Sequence, residues 1–190
     1  MRPLRNILAV STLAILTFIY FSDILFSDRI FSFRDLSRYY YPMRMFAFEQ
    51  IKSGIFPFWN QYVSSGHPLF AALQSAVLYP LSFVYLVFNF NFAFNFFIIL
   101  HIFLGGMFFY ILMRDLKFNH IAAVISAVVF MFSGYLIGVI NLTTTLSSAI
   151  WFPLVFLFFN RLFLSQKAVY AFLTAFFMGV MFLGGEPTPL

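Results

Sequence analysis

No cysteine occurs anywhere in the chain, which excludes a disulfide scaffold, a thiolate metal site and a cysteine nucleophile. Charge is nearly as scarce. Charged residues make up 9% of the 190, against roughly 25% in an average soluble domain, and so few cannot form a charged shell. The chain also lacks a phosphate-cradling G-x-x-x-x-G-K loop and a Rossmann glycine pattern, which argues against nucleotide binding through such loops. Its three histidines, His67, His101 and His120, stand far apart, so no metal cluster is visible. We find no internal repeat. The eleven bases sit at the ends of apolar runs or in one loop. They form no basic helix face, which argues against nucleic acid as a partner.

What fills the chain instead is apolar. Hydrophobic residues reach 63%, with 32 phenylalanines. Disorder is excluded by the same composition, and the class that remains is all-α: a polytopic helical membrane protein. About five transmembrane helices are expected, over 7–26, 92–113, 121–140, 149–164 and 168–184, in a single membrane domain spanning 1–190. The first run follows Arg2 and Arg5 like a signal peptide. It is too long for one, however, and no small-residue cleavage site follows. The last run ends at Pro-Thr-Pro-Leu with no charged tail, which suggests the N-terminal part of a longer chain.

Residues 27–90 differ from the rest. Eight of the seventeen charges fall between Asp28 and Lys52, interleaved with Tyr39, Tyr40, Tyr41, Phe46 and Phe48. Such mixing suits amphipathic or re-entrant helices at a membrane surface. Pro42 is placed to open a helix and Gly54 to close it, and Pro57, Gly66 and Pro68 mark turns. The positive-inside rule sorts the rest. With Arg2 and Arg5 cytoplasmic and 92–113 as the second span, Arg114, Lys117, Arg161 and Lys167 all return to the cytoplasm. The 27–90 loop, the Thr-rich connection 141–148 and Glu186 then lie outside. This requires Leu69–Phe88 to lie along or dip into the outer surface rather than span.

Several residues are chemically suggestive. Asp35, between Arg34 and Arg38, stays ionised beside positive charge and fits either a base or a helix cap. The arginines fit either lipid headgroups or a bidentate clamp on phosphate. An intramembrane His101 is a functional candidate by default, though a hydrogen bond to a neighbouring element is the simpler role. Asn141-Leu142-Thr143 matches a glycosylation acceptor.

A set of motifs gives these residues a family. They are Arg34-Asp35-Leu36-Ser37-Arg38-Tyr39-Tyr40-Tyr41-Pro42, Gly54-Ile55-Phe56-Pro57-Phe58-Trp59-Asn60, Ser65-Gly66-His67-Pro68-Leu69, and Gln74 through Tyr79-Pro80-Leu81. In this order they resemble the N-terminal part of YfhO-type bacterial membrane proteins, related to the GT-C superfamily of membrane glycosyltransferases. His101, Arg114, Trp151-Phe152-Pro153-Leu154 and Gly184-Gly185-Glu186-Pro187 extend the resemblance along the chain. Ser65-Gly66 departs from the commoner Gly-Gly. The resemblance implies transfer of a sugar from a polyprenyl-phosphate carrier to a cell-envelope acceptor, on the outer face of the bacterial cytoplasmic membrane. It implies Asp35 as the catalytic residue, with Arg34 and Arg38 at the donor phosphate. Tyr41 and Trp59 would stack on sugar or prenyl groups, or else form an interfacial aromatic belt. Asn60, His67 and Gln74 would contact the acceptor or shape the loop, and Glu186 is a second carboxylate candidate. Membrane lipids are further expected partners. No cofactor is singled out, and a divalent cation stays open. A transporter or lipid flippase and a structural membrane subunit are the competing classes.

Overall fold

A computed structural model describes residues 2–185. Among the described residues the regular structure is entirely helical, apart from one isolated β-bridge. Ten α-helices follow in order: α1 (Arg2–Tyr20), α2 (Ser22–Leu25), α3 (Tyr41–Lys52), α4 (Val84–Val87), α5 (Phe90–Asp115), α6 (His120–Met131), α7 (Gly134–Gly138), α8 (Thr143–Ala149), α9 (Phe152–Ser165) and α10 (Ala168–Leu183). Three stretches are long and apolar enough to cross a membrane: Phe90–Asp115, His120–Asn141 and Thr143–Ser165. Two shorter apolar helices, Leu4–Tyr20 and Ala168–Leu183, accompany them. The chain is therefore a membrane-associated helical protein.

The central element is α5. Its 26 residues extend roughly 39 Å at 1.5 Å per residue, more than the ~30 Å of a bilayer core. Asn89 starts it by accepting a hydrogen bond from the Asn91 amide. Phe94, Phe97, Ile98 and Ile102 are fully enclosed, at the three- and four-residue steps of one helix face. Helices α1, α6, α8 and α9 all pack on α5. At its far end Asp115 pairs with Arg161 of α9.

Two of the expected spans are broken. The first helix stops at Tyr20, and Phe21 leads into the separate turn α2. The third is interrupted at Ser133, whose hydroxyl accepts from the Leu136 amide and starts α7. The Thr-rich segment 141–148, expected as an exterior connection, is instead mostly the buried helix α8. Three of its hydroxyls are satisfied internally, while the buried Thr143 Oγ1 has no hydrogen-bond partner among the described residues. Ser147 Oγ donates back to the Thr143 carbonyl, Ser148 Oγ donates to the Met181 carbonyl of α10, and Thr144 Oγ1 lies 3.0 Å from the Tyr40 hydroxyl. Back-bonding of this kind removes the need for water around Ser and Thr inside a helix bundle. Thr143 is fully buried, so the hydroxyl of the glycosylation triplet is enclosed.

Leu69–Phe88 forms no long helix. It contains the short 3₁₀ turns Leu73–Ser75 and Pro80–Phe83 and then α4, none longer than four residues. It folds inward nonetheless, and Tyr79 and Tyr85 are among the most buried side chains. The loop before α3 is tied to α5 by Asn95, whose Oδ1 accepts from the Phe31 amide at 3.1 Å. Its Nδ2 donates to the Arg29 carbonyl at 2.8 Å.

Candidate functional site

The loop layer is built around α3. Pro42 lies in its first turn. Gly54, at φ +77°, takes the left-handed position after its end. The Ile55 amide then reaches back to the Gln50 carbonyl at 2.9 Å, the arrangement that satisfies a helix's last carbonyls. The approach to α3 is less regular. Arg34 is left-handed at φ +43°, an unfavourable conformation for a residue with a Cβ. It leads through Asp35 into a wide π-helical turn, Leu36–Tyr40, closed by the Tyr41 amide on the Leu36 carbonyl. Left-handed non-glycine residues and π-turns both concentrate at functional sites. Here they flank Asp35 on both sides. Asp35 occupies the cap position, yet its side chain makes no capping hydrogen bond, and it is exposed. The carboxylate is free to meet a ligand.

Two of the motifs interlock. Asn60 and His67 exchange backbone hydrogen bonds in both directions at 2.8 Å. The Asn60 side-chain oxygen accepts from the Tyr62 amide at 3.0 Å, which starts the turn between them. Gly66, at φ +116°, lies under the Trp59 indole. A Cβ built there would approach the ring atoms to 2.6–2.9 Å. Gly66→Ala is therefore expected to displace Trp59 and loosen the hairpin, since both the backbone and the space exclude a side chain. We expect proteolytic nicking within residues 61–66 to rise about tenfold, equivalent to about 1.4 kcal/mol of local opening. Unchanged nicking would show that the Trp59–Gly66 contact does not hold the turn.

Between this hairpin and the π-turn lies a cavity of about 230 Å³, lined by Arg38, Tyr39, Asn60, Tyr62 and His67 among its polar or aromatic members, with Met43 and Leu69 on its apolar side. Its chemistry is mixed. The Arg38 guanidinium suits an oxyanion, the Asn60 amide nitrogen and the His67 ring suit hydroxyls, and the aromatic rings suit the apolar face of a sugar. Gln74 is joined to this edge, because the Tyr39 hydroxyl donates to its side-chain oxygen. Burial raises the Tyr39 pKa above tyrosine's usual value, and neighbouring Tyr40 adds to the effect. The hydroxyl therefore stays a donor.

No family model, curated protein or solved structure matches this chain.

The structure thus brings Arg38, Asn60 and His67 to one cavity and hangs Gln74 on its rim. Arg34 and Asp35 stand exposed at the start of the same π-turn. Trp59 covers Gly66, leaving over half of its own surface exposed. Tyr41 takes a different place. It donates to Asn91 Oδ1 of α5 and packs against Phe90 and Phe94 at ring distances of 5.1 and 5.2 Å, so it docks the loop layer on the bundle and does not line the cavity. Glu186 lies outside the described residues. No three acidic or imidazole groups among the described residues gather in a metal-binding arrangement.

Beneath the cavity sits a polar cluster that residue spacing did not single out. Arg44 is fully buried. Its guanidinium carbon lies 4.7 Å from the Phe97 ring centre, 5.8 Å from that of Tyr40 and 6.0 Å from that of Tyr85. Nη1 donates to the Tyr85 hydroxyl at 3.2 Å, while Nε and Nη2 have no hydrogen-bond partner among the described residues. The signal was present. Tyr40, Arg44 and Phe48 follow at four-residue steps with Met43 and Ala47, one buried face of the helix.

Beside Arg44 runs a short relay. His101 Nδ1 faces the Phe97 carbonyl, which can only accept, so Nδ1 carries the proton and Nε2 accepts. The Tyr79 hydroxyl, 2.8 Å away, donates to Nε2, with the Ser147 carbonyl at 3.2 Å a second, longer acceptor for the same proton, and its oxygen accepts from the Trp151 indole N–H, also at 2.8 Å. Burial raises the Tyr79 pKa, which keeps its proton in place. His101 is thus held by the Tyr79 segment and by its own helix. A Tyr79→Phe substitution is expected to cost about 2–3 kcal/mol, because it strands both the indole N–H and the imidazole acceptor. It should be strongly non-additive with Trp151→Phe in a denaturation double-mutant cycle.

Proposed function

We propose that this chain works in a membrane glycosyltransferase that moves a sugar from a polyprenyl-phosphate carrier to a cell-envelope acceptor on the outer face of a bacterial cytoplasmic membrane. The observation that carries the proposal is the placement of Asp35. It is an exposed carboxylate with no side-chain hydrogen bond among the described residues, between a left-handed arginine and a π-turn, and that turn delivers Arg38 to a cavity shared with Asn60 and His67. A general base must be free to reach its proton and held on a defined backbone, and this arrangement meets both needs.

In the proposed reaction the acceptor hydroxyl loses its proton to the Asp35 carboxylate as its oxygen bonds to the sugar's anomeric carbon. The bond between that carbon and the phosphate oxygen breaks, and polyprenyl phosphate leaves with the electron pair. Arg38 stabilises the charge on the departing phosphate, with Arg34 beside it. Asn60, His67 and Gln74 orient hydroxyls, and Trp59 offers a stacking face. The proposal includes five spans with a cytoplasmic N-terminus. Arg114, Lys117, Arg161 and Lys167 then share the cytoplasmic side and the loop layer lies outside, as the positive-inside rule favours.

The test is sugar transfer in membrane vesicles containing the protein, with a labelled polyprenyl-phosphate sugar pool as donor. Label appearing in envelope material above protein-free vesicles supports the proposal. No transfer across several sugars overturns it and favours a transporter or a structural subunit.

A further inference from the structure

At the other end of α5 lies a second, larger opening. Phe90 and Arg114 are 24 residues apart on one helix, roughly 36 Å at 1.5 Å per residue. This opening is therefore remote from the loop layer. Its volume is about 770 Å³, and it lies between α1 and α6. Arg5 and Arg114 line its head together with His120. Its walls are mainly apolar, with Thr12 of α1 adding one hydroxyl. Leu8 of α1 and Ile121 and Ile125 of α6 are 57%, 75% and 58% exposed.

The head of the groove is both rigid and positively charged. The Tyr110 hydroxyl donates to Asn6 Oδ1 at 2.9 Å and so must accept from His120 Nδ1, 3.0 Å away. This pins α1, α5 and α6 to one another. Arg114 is anchored by donating to the Phe118 carbonyl. Neither Arg5 nor Arg114 forms an ion pair among the described residues. Asp115, the acid nearest in sequence, is committed to Arg161. Two unneutralised guanidiniums therefore stand over a groove whose sides are mainly apolar, in a protein with helices apolar enough to cross a bilayer. Free phosphate or a carboxylate metabolite would satisfy the head and leave the walls idle. A zwitterionic lipid would fill the walls and leave the head uncompensated.

We propose that the α1–α6 groove is a binding site for an anionic phospholipid, with its phosphate held by Arg5 and Arg114 and an acyl chain laid against Leu8, Ile121 and Ile125. This site is separate from the loop-layer cavity and stands whether or not sugar transfer is the activity. Each arginine near a membrane surface contributes about a fivefold gain toward anionic lipid, so the pair favours it by about thirtyfold.

The test uses the full chain purified in mild detergent and native mass spectrometry with chain-matched phosphatidylglycerol and phosphatidylcholine. The expected result is one retained phosphatidylglycerol, bound about thirtyfold more tightly than phosphatidylcholine. In Arg5→Gln/Arg114→Gln the preference should vanish. In Arg29→Gln/Lys167→Gln, which removes the same charge elsewhere, it should persist. Equal binding of the two lipids by the unsubstituted protein overturns the proposal, and that comparison needs no variant to fold. Loss of preference in both double variants also overturns it by reducing the effect to bulk charge. Displacement of the lipid by glycerol 1-phosphate at equal concentration overturns it in favour of a soluble phosphate.

Discussion

Sugar transfer by an Asp35→Asn variant is expected to fall about a thousandfold, within the range that a positioned general base supplies, while the protein inserts and melts like the unsubstituted chain. The two halves of this result come from the same geometry. The carboxylate is exposed and makes no capping hydrogen bond, so removing its charge takes no interaction from the fold, and surface changes of this kind stay within about 0.5 kcal/mol. Asn also keeps the shape of Asp in the π-turn. The measurement pairs a transfer assay with a thermal melt of the same preparation. Transfer within a factor of about three of the unsubstituted protein would remove Asp35 from the reaction. A large drop in melting temperature would make it structural.

The second large effect concerns stability and lies a few residues away. Arg44→Ala is expected to destabilise the protein by about 3–5 kcal/mol, the range for emptying the space of a large enclosed side chain. Arg44 is the largest of the fully buried side chains, and its loss would leave the Tyr85 hydroxyl without its donor and three aromatic rings around a void. Arg44→Met separates volume from charge. Exchange of a buried ion for an apolar side chain of similar size is often neutral, and two of Arg44's nitrogens are already unpartnered among the described residues. Met is therefore expected to recover most of what Ala loses in a chemical denaturation series. If Met is as damaging as Ala, the positive charge over Phe97 and Tyr40 is the stabilising element and the packing is secondary.

How far the sequence announces this structure depends on the range of each interaction. Signals read over a few residues held up well as local structure. Pro42 and Gly54 bracket α3 because both act through their own backbone geometry. Leu69–Phe88 is a different case: its exclusion as a span rests on the charge of the flanking loops rather than on its own residues, and it contains no helix longer than four residues. His101 is held by hydrogen bonds, as its place in an apolar run suggested. Signals that need a distant partner were not legible. The Asn60 and His67 motifs stand out separately in the sequence, but nothing in either says that their backbones pair. The hydroxyls of 141–148 look like a hydrated loop because the partners of Thr144 and Ser148, the Tyr40 hydroxyl and the Met181 carbonyl, are supplied from elsewhere in the fold. Arg44 fell between the two cases. Its helical spacing among Tyr40, Met43, Ala47 and Phe48 was readable, but charge suggested a surface position, and only the rings of Phe97 and Tyr85 show how the interior accepts it.

The junction after α10 bears on the order in which the protein is made. A Cβ at Gly185 would stand 2.8 Å from the Leu73 carbonyl and from a Thr144 methyl, and 3.0 Å from the Gln74 Cα. The backbone after the last described helix is therefore pressed against the turn that carries Gln74. The two positions are separated by 185 − 74 = 111 residues. At 5–20 residues per second, a ribosome needs roughly 6–22 s to cover that interval. Throughout it the Gln74 turn waits at the membrane with one flank uncovered, while Tyr39 and α3 are already in place beside it. The flank of the Gln74 turn that Gly185 covers is thus closed only once α10 has been made, and a nascent chain arrested after α9 would carry most of its apolar helices with that flank still open.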